Sequence, residues 1–205
     1  MLFLSKPPQP DLDSEVAPTC FFCIEDFHGN TPLHCAALGG DKQITNKLIE
    51  AGVDLDASNH ELDKPIHLAA SVGNLDVLKA LLDAGANLQG RGWLDNTALH
   101  VACQSAQVNK NFPQESIKIT TFKVKIIHEL LQRGLPHDVV NAHGEHPIHL
   151  AAGAHRSDNN IEHVEILLEA GVNIKKARTN EGCTAAHYAA KVEIKTILCN
   201  KTLFL

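Results

Sequence analysis

A seven-residue pattern recurs five times along the chain. Its copies begin at Thr31, Lys64, Thr97, His146 and Thr184, and the first reads Thr-Pro-Leu-His-Cys-Ala-Ala. The first three copies start 33 residues apart. A fixed period of this length indicates a stack of repeated supersecondary units, in which each unit buries its apolar face against its neighbours. The period therefore constrains the fold more strongly than the composition does.

The pattern resembles the signature of the ankyrin repeat family, Thr-Pro-Leu-His-x-Ala at a 33-residue spacing, over about residues 26 to 200. The resemblance implies an all-α solenoid of about five helix-turn-helix units with hairpin-like turns between them. The residues also fit helices on their own chemistry, because Thr caps a helix N-terminus and Pro suits the first turn. We predict a repeat domain over 26–205, with units near 26–58, 59–91, 92–140, 141–178 and 179–205.

Residues 1–25 do not follow the repeat and are rich in proline, which predicts an irregular, extended lead-in. Cys20 and Cys23 form the one local pattern with metal or redox character. A zinc site needs two further ligands at a defined spacing, and no second cysteine pair follows. The favoured interpretation is that Phe21 and Phe22 cover the open end of the first unit. No metal and no cofactor are predicted.

Three units depart from the regular pattern. The third is 16 residues longer than the first two, which predicts an insert over about 104–122, between its two helices. The insert is polar and locally basic, typical of a solvated surface loop or of a partner-binding elaboration. The fourth unit has a smaller insertion near 155–160. In the fifth, the turn after Ala190 is missing, so that either two helices are fused or the turn is lost.

The pattern places a histidine at the same position in every unit. The family resemblance implies that each one hydrogen-bonds neighbouring backbone and the threonine at the start of its pattern. Lys64 and His146 replace that threonine in units two and four, which puts the bond in question there. The histidines lie too far apart in sequence to suggest one metal site, and no catalytic motif occurs, so we expect no enzymatic activity. The five histidines are His34, His67, His100, His149 and His187.

The net charge of −6 argues against a nucleic-acid partner, which would favour a basic surface. No apolar run reaches the length of a membrane span, so no membrane partner is expected. Six scattered cysteines are typical of a reduced intracellular protein rather than of a disulfide scaffold. We therefore predict a cytoplasmic or nuclear protein that is monomeric alone.

The turns between units are free to vary. The family resemblance implies that they form, together with the first helices, the concave face that binds partners. Trp93, the only tryptophan, lies beside Arg91, and this pair has the composition of an interface hot spot. The alternative is that Trp93 packs on Leu62. The candidate partner-binding residues are Ser58, His60, Glu61, Arg91, Trp93, Leu94, His143, Glu145, Arg178 and Glu181.

These features predict a non-catalytic module that binds a protein partner as an adaptor, scaffold or stoichiometric inhibitor. One narrower alternative is an inhibitor of a Rel-type transcription factor, because the chain has a weak likeness to such inhibitors. Another is a pathogen effector acting in a host cell. An alternative of another class is a regulatory ankyrin fragment of a larger enzyme.

Overall fold

The computed structural model describes residues 24–104, 113–153 and 160–189, with the side chains of 113–120 and 160 left aside. Within these ranges the regular secondary structure is helical, and no strand occurs. A short 3-10 turn covers Trp93–Asp95. The α-helices are α1 (Pro32–Gly39), α2 (Lys42–Glu50), α3 (Pro65–Val72), α4 (Leu75–Asp83), α5 (Ala98–Cys103), α6 (Pro113–Gln132), α7 (Pro147–Gly153), α8 (Asn160–Glu169) and α9 (Ala185–Ala189).

Each copy of the sequence pattern forms the first helix of its unit. In unit one, Thr31 is the N-cap of α1 and Pro32 is its first residue. Gly40 ends α1 in the left-handed conformation, with φ 72°, which costs glycine little. The Asp41 carboxylate then caps α2 by accepting the backbone N–H groups of Gln43 and Ile44. The pattern thus specifies both ends of the first helix and the tight turn into the second.

The helices stack in two rows. The first helices α1, α3, α5, α7 and α9 pack one against the next, and so do the second helices α2, α4, α6 and α8. Small side chains let the first helices approach closely, since Ala36, Ala37, Ala69 and Ala70 are all buried between them. Larger aliphatic side chains of the second helices, such as Leu78, fill the space between the rows. This arrangement confirms the predicted all-α solenoid.

The repeated histidines connect successive units. Nε2–H of His34 donates to the carbonyl of Asp63 in unit two, over 3.0 Å. Its Nδ1 accepts from both the backbone N–H and the hydroxyl of Thr31. His100 does the same with Thr97 and with the carbonyl of Glu145. The predicted role of these histidines is confirmed here, because both ring nitrogens are used and one bond crosses to the next unit.

Units two and four keep part of this arrangement. In unit two, the backbone N–H of Lys64 still donates to Nδ1 of His67, and His67 Nε2 donates to the carbonyl of Gly90. In unit four, the backbone N–H of His146 donates to Nδ1 of His149. Loss of the threonine therefore removes the hydroxyl donor but leaves the backbone donor in place.

Burial lowers the pKa of these ring nitrogens. The pKa of His100 falls to about 4, mainly because the ring is desolvated. The pKa values of His34, His67 and His149 are also lowered, again mainly by burial. Neutral imidazole is thus the form that the stack requires.

The insert of unit three is only partly a loop. Helix α6 begins at Pro113 and runs for 20 residues, against nine in α2 and α4. Proline suits the first position of a helix, and no glycine or further proline follows before Gln132. Because residues from 113 onward are helical, the prediction of a loop to residue 122 is wrong. Lys123, one of the lysines that make this stretch locally basic in sequence, is not solvated. It is 2% exposed, and its Nζ donates to the carbonyl of Gln104 over 2.9 Å.

Several predictions fall outside the described residues. These are the lead-in up to residue 23 with its Cys20 and Cys23, the small insertion near 155–160 except Asn160, and the end of unit five from 190 onward.

Candidate functional site

Each unit opens with a five-residue hairpin turn, here called a tip. In every tip the first residue donates its N–H to the carbonyl of the fifth, and the fourth donates to the carbonyl of the first. The chain is therefore folded back on itself at each tip without a β-sheet. The tips are tip one (Asp26–Asn30), tip two (Asn59–Asp63), tip three (Gly92–Asn96), tip four (Asn141–Glu145) and tip five (Thr179–Cys183).

The first residue of a tip fixes the turn with its side chain. Oδ1 of Asn59 accepts the N–H groups of Glu61 and Asp63, and Oδ1 of Asn141 accepts those of His143 and Glu145. Short side chains with an oxygen acceptor stabilise turns in this way. Asp26 does the same in tip one. Four of the five tips carry such a residue, and tip three has Gly92 instead.

The fourth residue of a tip has positive φ, which favours glycine. Gly29, Gly144 and Gly182 fill this position in tips one, four and five, with φ of 72°, 72° and 77°. Tip two has Leu62 there with φ 66°. For a residue with a side chain this conformation costs about 1–2 kcal/mol. Tip three likewise departs from the glycine rule, with positive φ at both its third and fourth residues. Tips two and three are thus the strained ones.

Neighbouring tips are joined by hydrogen bonds. His60 N–H donates to the carbonyl of His28, Ala142 N–H to that of Leu94, and Asn180 N–H to that of His143. In each case the second residue of one tip donates to the third residue of the tip before it. These bonds hold equivalent tip positions in a row along one edge of the stack.

The junction between tips two and three differs. Trp93, the second residue of tip three, donates its N–H to the Asp63 carboxylate over 3.0 Å, rather than to a backbone carbonyl. Gly92 makes this possible, because a Cβ at that position would collide with Asp63 Oδ1. Glycine is therefore needed at position 92 because the Asp63 side chain approaches it closely. The hydrogen bond holds the backbone of Trp93, while the residue remains 54% exposed.

Most of the candidate residues of the sequence analysis lie exposed on or beside the tips. Leu94 is half-buried within tip three. The side chains of two members also form hydrogen bonds with other parts of the stack. Arg91 Nη1 donates to the carbonyls of Asp95 and Val140, each over 2.8 Å. Glu145 accepts from Tyr188 and Asn141 with its two carboxylate oxygens. The exposed members are Ser58, His60, Glu61, Arg91, Trp93, His143, Arg178 and Glu181.

Sequence reasoning missed two exposed apolar residues on the tips. Phe27 is the second residue of tip one and is fully exposed, and Leu62 in tip two is 61% exposed. Phe27 stands one 33-residue period before His60, and Trp93 stands one period after it. The 33-residue period was the sequence signal that could have identified Phe27, because it places Phe27 at the same tip position as Trp93. We call Phe27, His60 and Trp93 the tip row.

The described residues contain no other arrangement that suggests chemistry. They hold no group of three or more His, Cys, Asp or Glu side chains placed to bind a metal ion. In the same ranges no helix is both long enough and apolar enough to cross a membrane. Cys103 is fully buried, and burial raises the pKa of its thiol to about 12, which makes it a poor nucleophile.

Stacked helix pairs joined by projecting hairpin tips define a helical repeat protein whose variable residues lie along one edge. The sequence model of the family described as ankyrin repeats (3 copies) matches residues 15–91, 33–111 and 119–203. The chain belongs to the ankyrin repeat family, whose members generally act as protein–protein interaction modules. No curated protein matches the chain as a whole-sequence relative.

Proposed function

We propose that this chain is a non-catalytic module that binds a protein partner along its tips and the concave face beside them. The observation that carries the proposal is the exposure of Phe27, Leu62 and Trp93 on three consecutive tips. Exposed large apolar residues that cluster on one edge of a folded protein mark an interaction surface.

The tips are suited to binding because their shape exists before the partner arrives. Backbone hydrogen bonds close each tip, and bonds between tips fix the row. A surface that is already ordered loses little conformational entropy on association. Trp93 is the strongest anchor of the set, since tryptophan is enriched at interface hot spots. Arg91, which precedes tip three, joins that tip to the residue before tip four, because it donates to the carbonyls of Asp95 and Val140.

The test compares affinity for a captured partner between the unchanged chain and a Trp93→Ala variant. Each immobilised chain is exposed to the same lysate, and the proteins that it retains are quantified by mass spectrometry. The protein whose retention falls most with the Trp93→Ala variant is then used to measure the dissociation constant of both chains. Burying an aromatic ring contributes about 2 kcal/mol, so we expect affinity to fall about 30-fold. The matched control is Ile161→Ala, an exposed apolar residue on α8, and it leaves affinity unchanged. Equal binding by the Trp93→Ala variant, with its fold intact by circular dichroism, would refute the proposal.

The partner so identified also separates the narrower roles. A stoichiometric inhibitor of a Rel-type transcription factor binds that factor and prevents it from binding DNA. An adaptor or scaffold holds two partners at once, and a pathogen effector binds a protein of the host. A regulatory fragment of a larger enzyme binds the catalytic domain of that enzyme.

A further inference from the structure

The tips of units one to three, together with the residues next to them, carry a marked excess of negative charge. Glu25, Glu61 and Asp95 are exposed, and none forms an ion pair with another described residue. We call these three carboxylates the acidic rim. Asp26 and Asp63 add two further carboxylates, both engaged in hydrogen bonds of the tips.

Positive charge at these tips is almost absent. Among the residues that the structure describes, Arg91 is the only arginine or lysine within these tips or adjacent to them in sequence that is not ion-paired, and its Nη1 donates to two backbone carbonyls. Lys64, which follows tip two, pairs with Asp56 over 3.3 Å. The second helices differ, because Lys79 on α4 and Arg133 just after α6 pair with carboxylates of α4 and α6. Among the described residues, the carboxylates of the acidic rim therefore lack the ion pairs that Asp83 and Glu129 form on α4 and α6.

Apolar side chains lie among these carboxylates. Phe27 is next to Asp26, Leu62 is next to Glu61, and Trp93 is two residues before Asp95. An aromatic face attracts a lysine or arginine head group, while the carboxylates beside it supply hydrogen-bond acceptors. The same charges repel nucleic-acid phosphates and acidic peptides. Rings interleaved with carboxylates thus select a ligand that carries both cationic and apolar side chains.

The spacing of the tips suits an extended chain. Helices packed side by side lie about 8–10 Å apart. The His60 N–H bond to the carbonyl of His28 and the Trp93 N–H bond to the Asp63 carboxylate join the three tips at the repeat spacing. Three residues of extended polypeptide span about 10 Å. A ligand with a basic residue at about every third position therefore meets one tip after another.

We propose that tips one to three bind an extended, basic segment of the protein partner, whose lysine or arginine side chains meet the acidic rim and whose apolar side chains cover Phe27, Leu62 and Trp93. This inference rests on the proposed function, since it names the chemistry of the partner for that same surface.

The test is a selection of random twelve-residue peptides displayed on phage against the full chain. We expect enrichment of lysine and arginine with apolar residues between them, and affinity that weakens as salt is added. A triple variant (Glu25→Gln, Glu61→Gln and Asp95→Asn) binds the selected peptides about tenfold less tightly. Asparagine at position 95 tolerates the positive φ found there. The control removes three carboxylates from the second helices, as Glu50→Gln, Glu162→Gln and Glu169→Gln. This variant should bind the selected peptides with full affinity.

The outcomes separate this inference from the proposed function. Selection of uncharged or acidic peptides, or full affinity in the triple variant, overturns the basic-segment inference. If Trp93→Ala then still weakens binding, the proposed function stands and the inference alone fails. If neither Trp93→Ala nor the triple variant changes affinity for the selected peptides or for the captured partner, both fail. If no peptide is selected, the basic-segment inference fails, and the captured partner alone decides the proposed function.

Discussion

Acid should weaken this stack through its buried histidines, and His100 allows the size of the effect to be calculated. Its pKa is about 4 in the folded chain and about 6.5 when unfolded. A pKa lowered on folding means that the unfolded chain binds more protons between these two values. The stability that comes from neutral His100 is therefore complete above pH 6.5 and is lost as pH falls toward 4.

The full effect of this one residue is about 3 kcal/mol, because one pKa unit corresponds to about 1.4 kcal/mol. Between pH 7.5 and pH 5 the same two pKa values give a loss of about 2 kcal/mol. His34, His67, His146 and His149 add to the decline in the same direction, since burial lowers their pKa values as well.

The measurement is urea unfolding at pH 7.5 and at pH 5, followed by far-ultraviolet circular dichroism and by the fluorescence of Trp93. A His100→Gln variant is less stable at pH 7.5, because it loses the bonds to Thr97 and Glu145. Its free energy of unfolding should nevertheless fall by about 2 kcal/mol less than that of the unchanged chain when the pH is lowered. His128→Gln, at an exposed position on α6, is the control and keeps the original pH dependence. Equal declines in the His100→Gln variant and the unchanged chain would refute the reasoning.

Three further predictions concern strain, close packing and a buried charge, each checked by urea unfolding. Leu62→Gly should raise the free energy of unfolding by about 0.5–1 kcal/mol, because relief of the positive φ outweighs the entropy of glycine; a loss of stability would contradict this. Gly92→Ala should cost about 1–2 kcal/mol, since its Cβ displaces the Asp63 carboxylate that holds the Trp93 N–H; an unchanged Trp93 spectrum and stability would count against it. Lys123→Met should stabilise the chain by about 2 kcal/mol at pH 7, because burial lowers the lysine pKa to about 8 and makes its charged form costly. That gain should shrink at pH 10, where Lys123 is neutral in the folded chain, and an equal gain at both pH values would show that charge is not the cause.

The fold could be predicted from sequence because local and periodic signals agree in it. Thr31, Pro32 and Gly40 specify the ends of the first helix, and similar helix-end signals recur with the period along the chain. The same logic failed at the insert of unit three. There the pattern gave only a distance between two recognisable helices, and it did not show that α6 begins at Pro113. Nor did it show that Lys123, one of several lysines in a polar stretch, has a backbone carbonyl as a partner.

The tips were predicted less completely than the helices. Their location followed from the period, but what each side chain contacts depends on the neighbouring unit. Arg91 looked like a free cation beside Trp93, yet its guanidinium contacts carbonyls that lie four and 49 residues along the chain. Asp63 and Gly92 showed no signal at all, because their contact joins two units and departs from the regular pattern. A contact that occurs at only one junction between units does not appear in the repeated sequence pattern, so the pattern cannot predict it.

The carboxylate of Asp63 has a mechanical consequence for the array. In a linear stack, each unit moves relative to the next through their shared contacts alone. At the other described junctions between tips a backbone carbonyl accepts the bond, and a carbonyl is fixed to its own tip. At the junction of units two and three the acceptor lies at the end of a side chain, with two rotatable bonds between it and the backbone. Rotation of this side chain should therefore let tips two and three shift slightly against each other under load, while the ion pairs of Lys79 with Glu129 and of Arg133 with Asp83 hold α4 against α6.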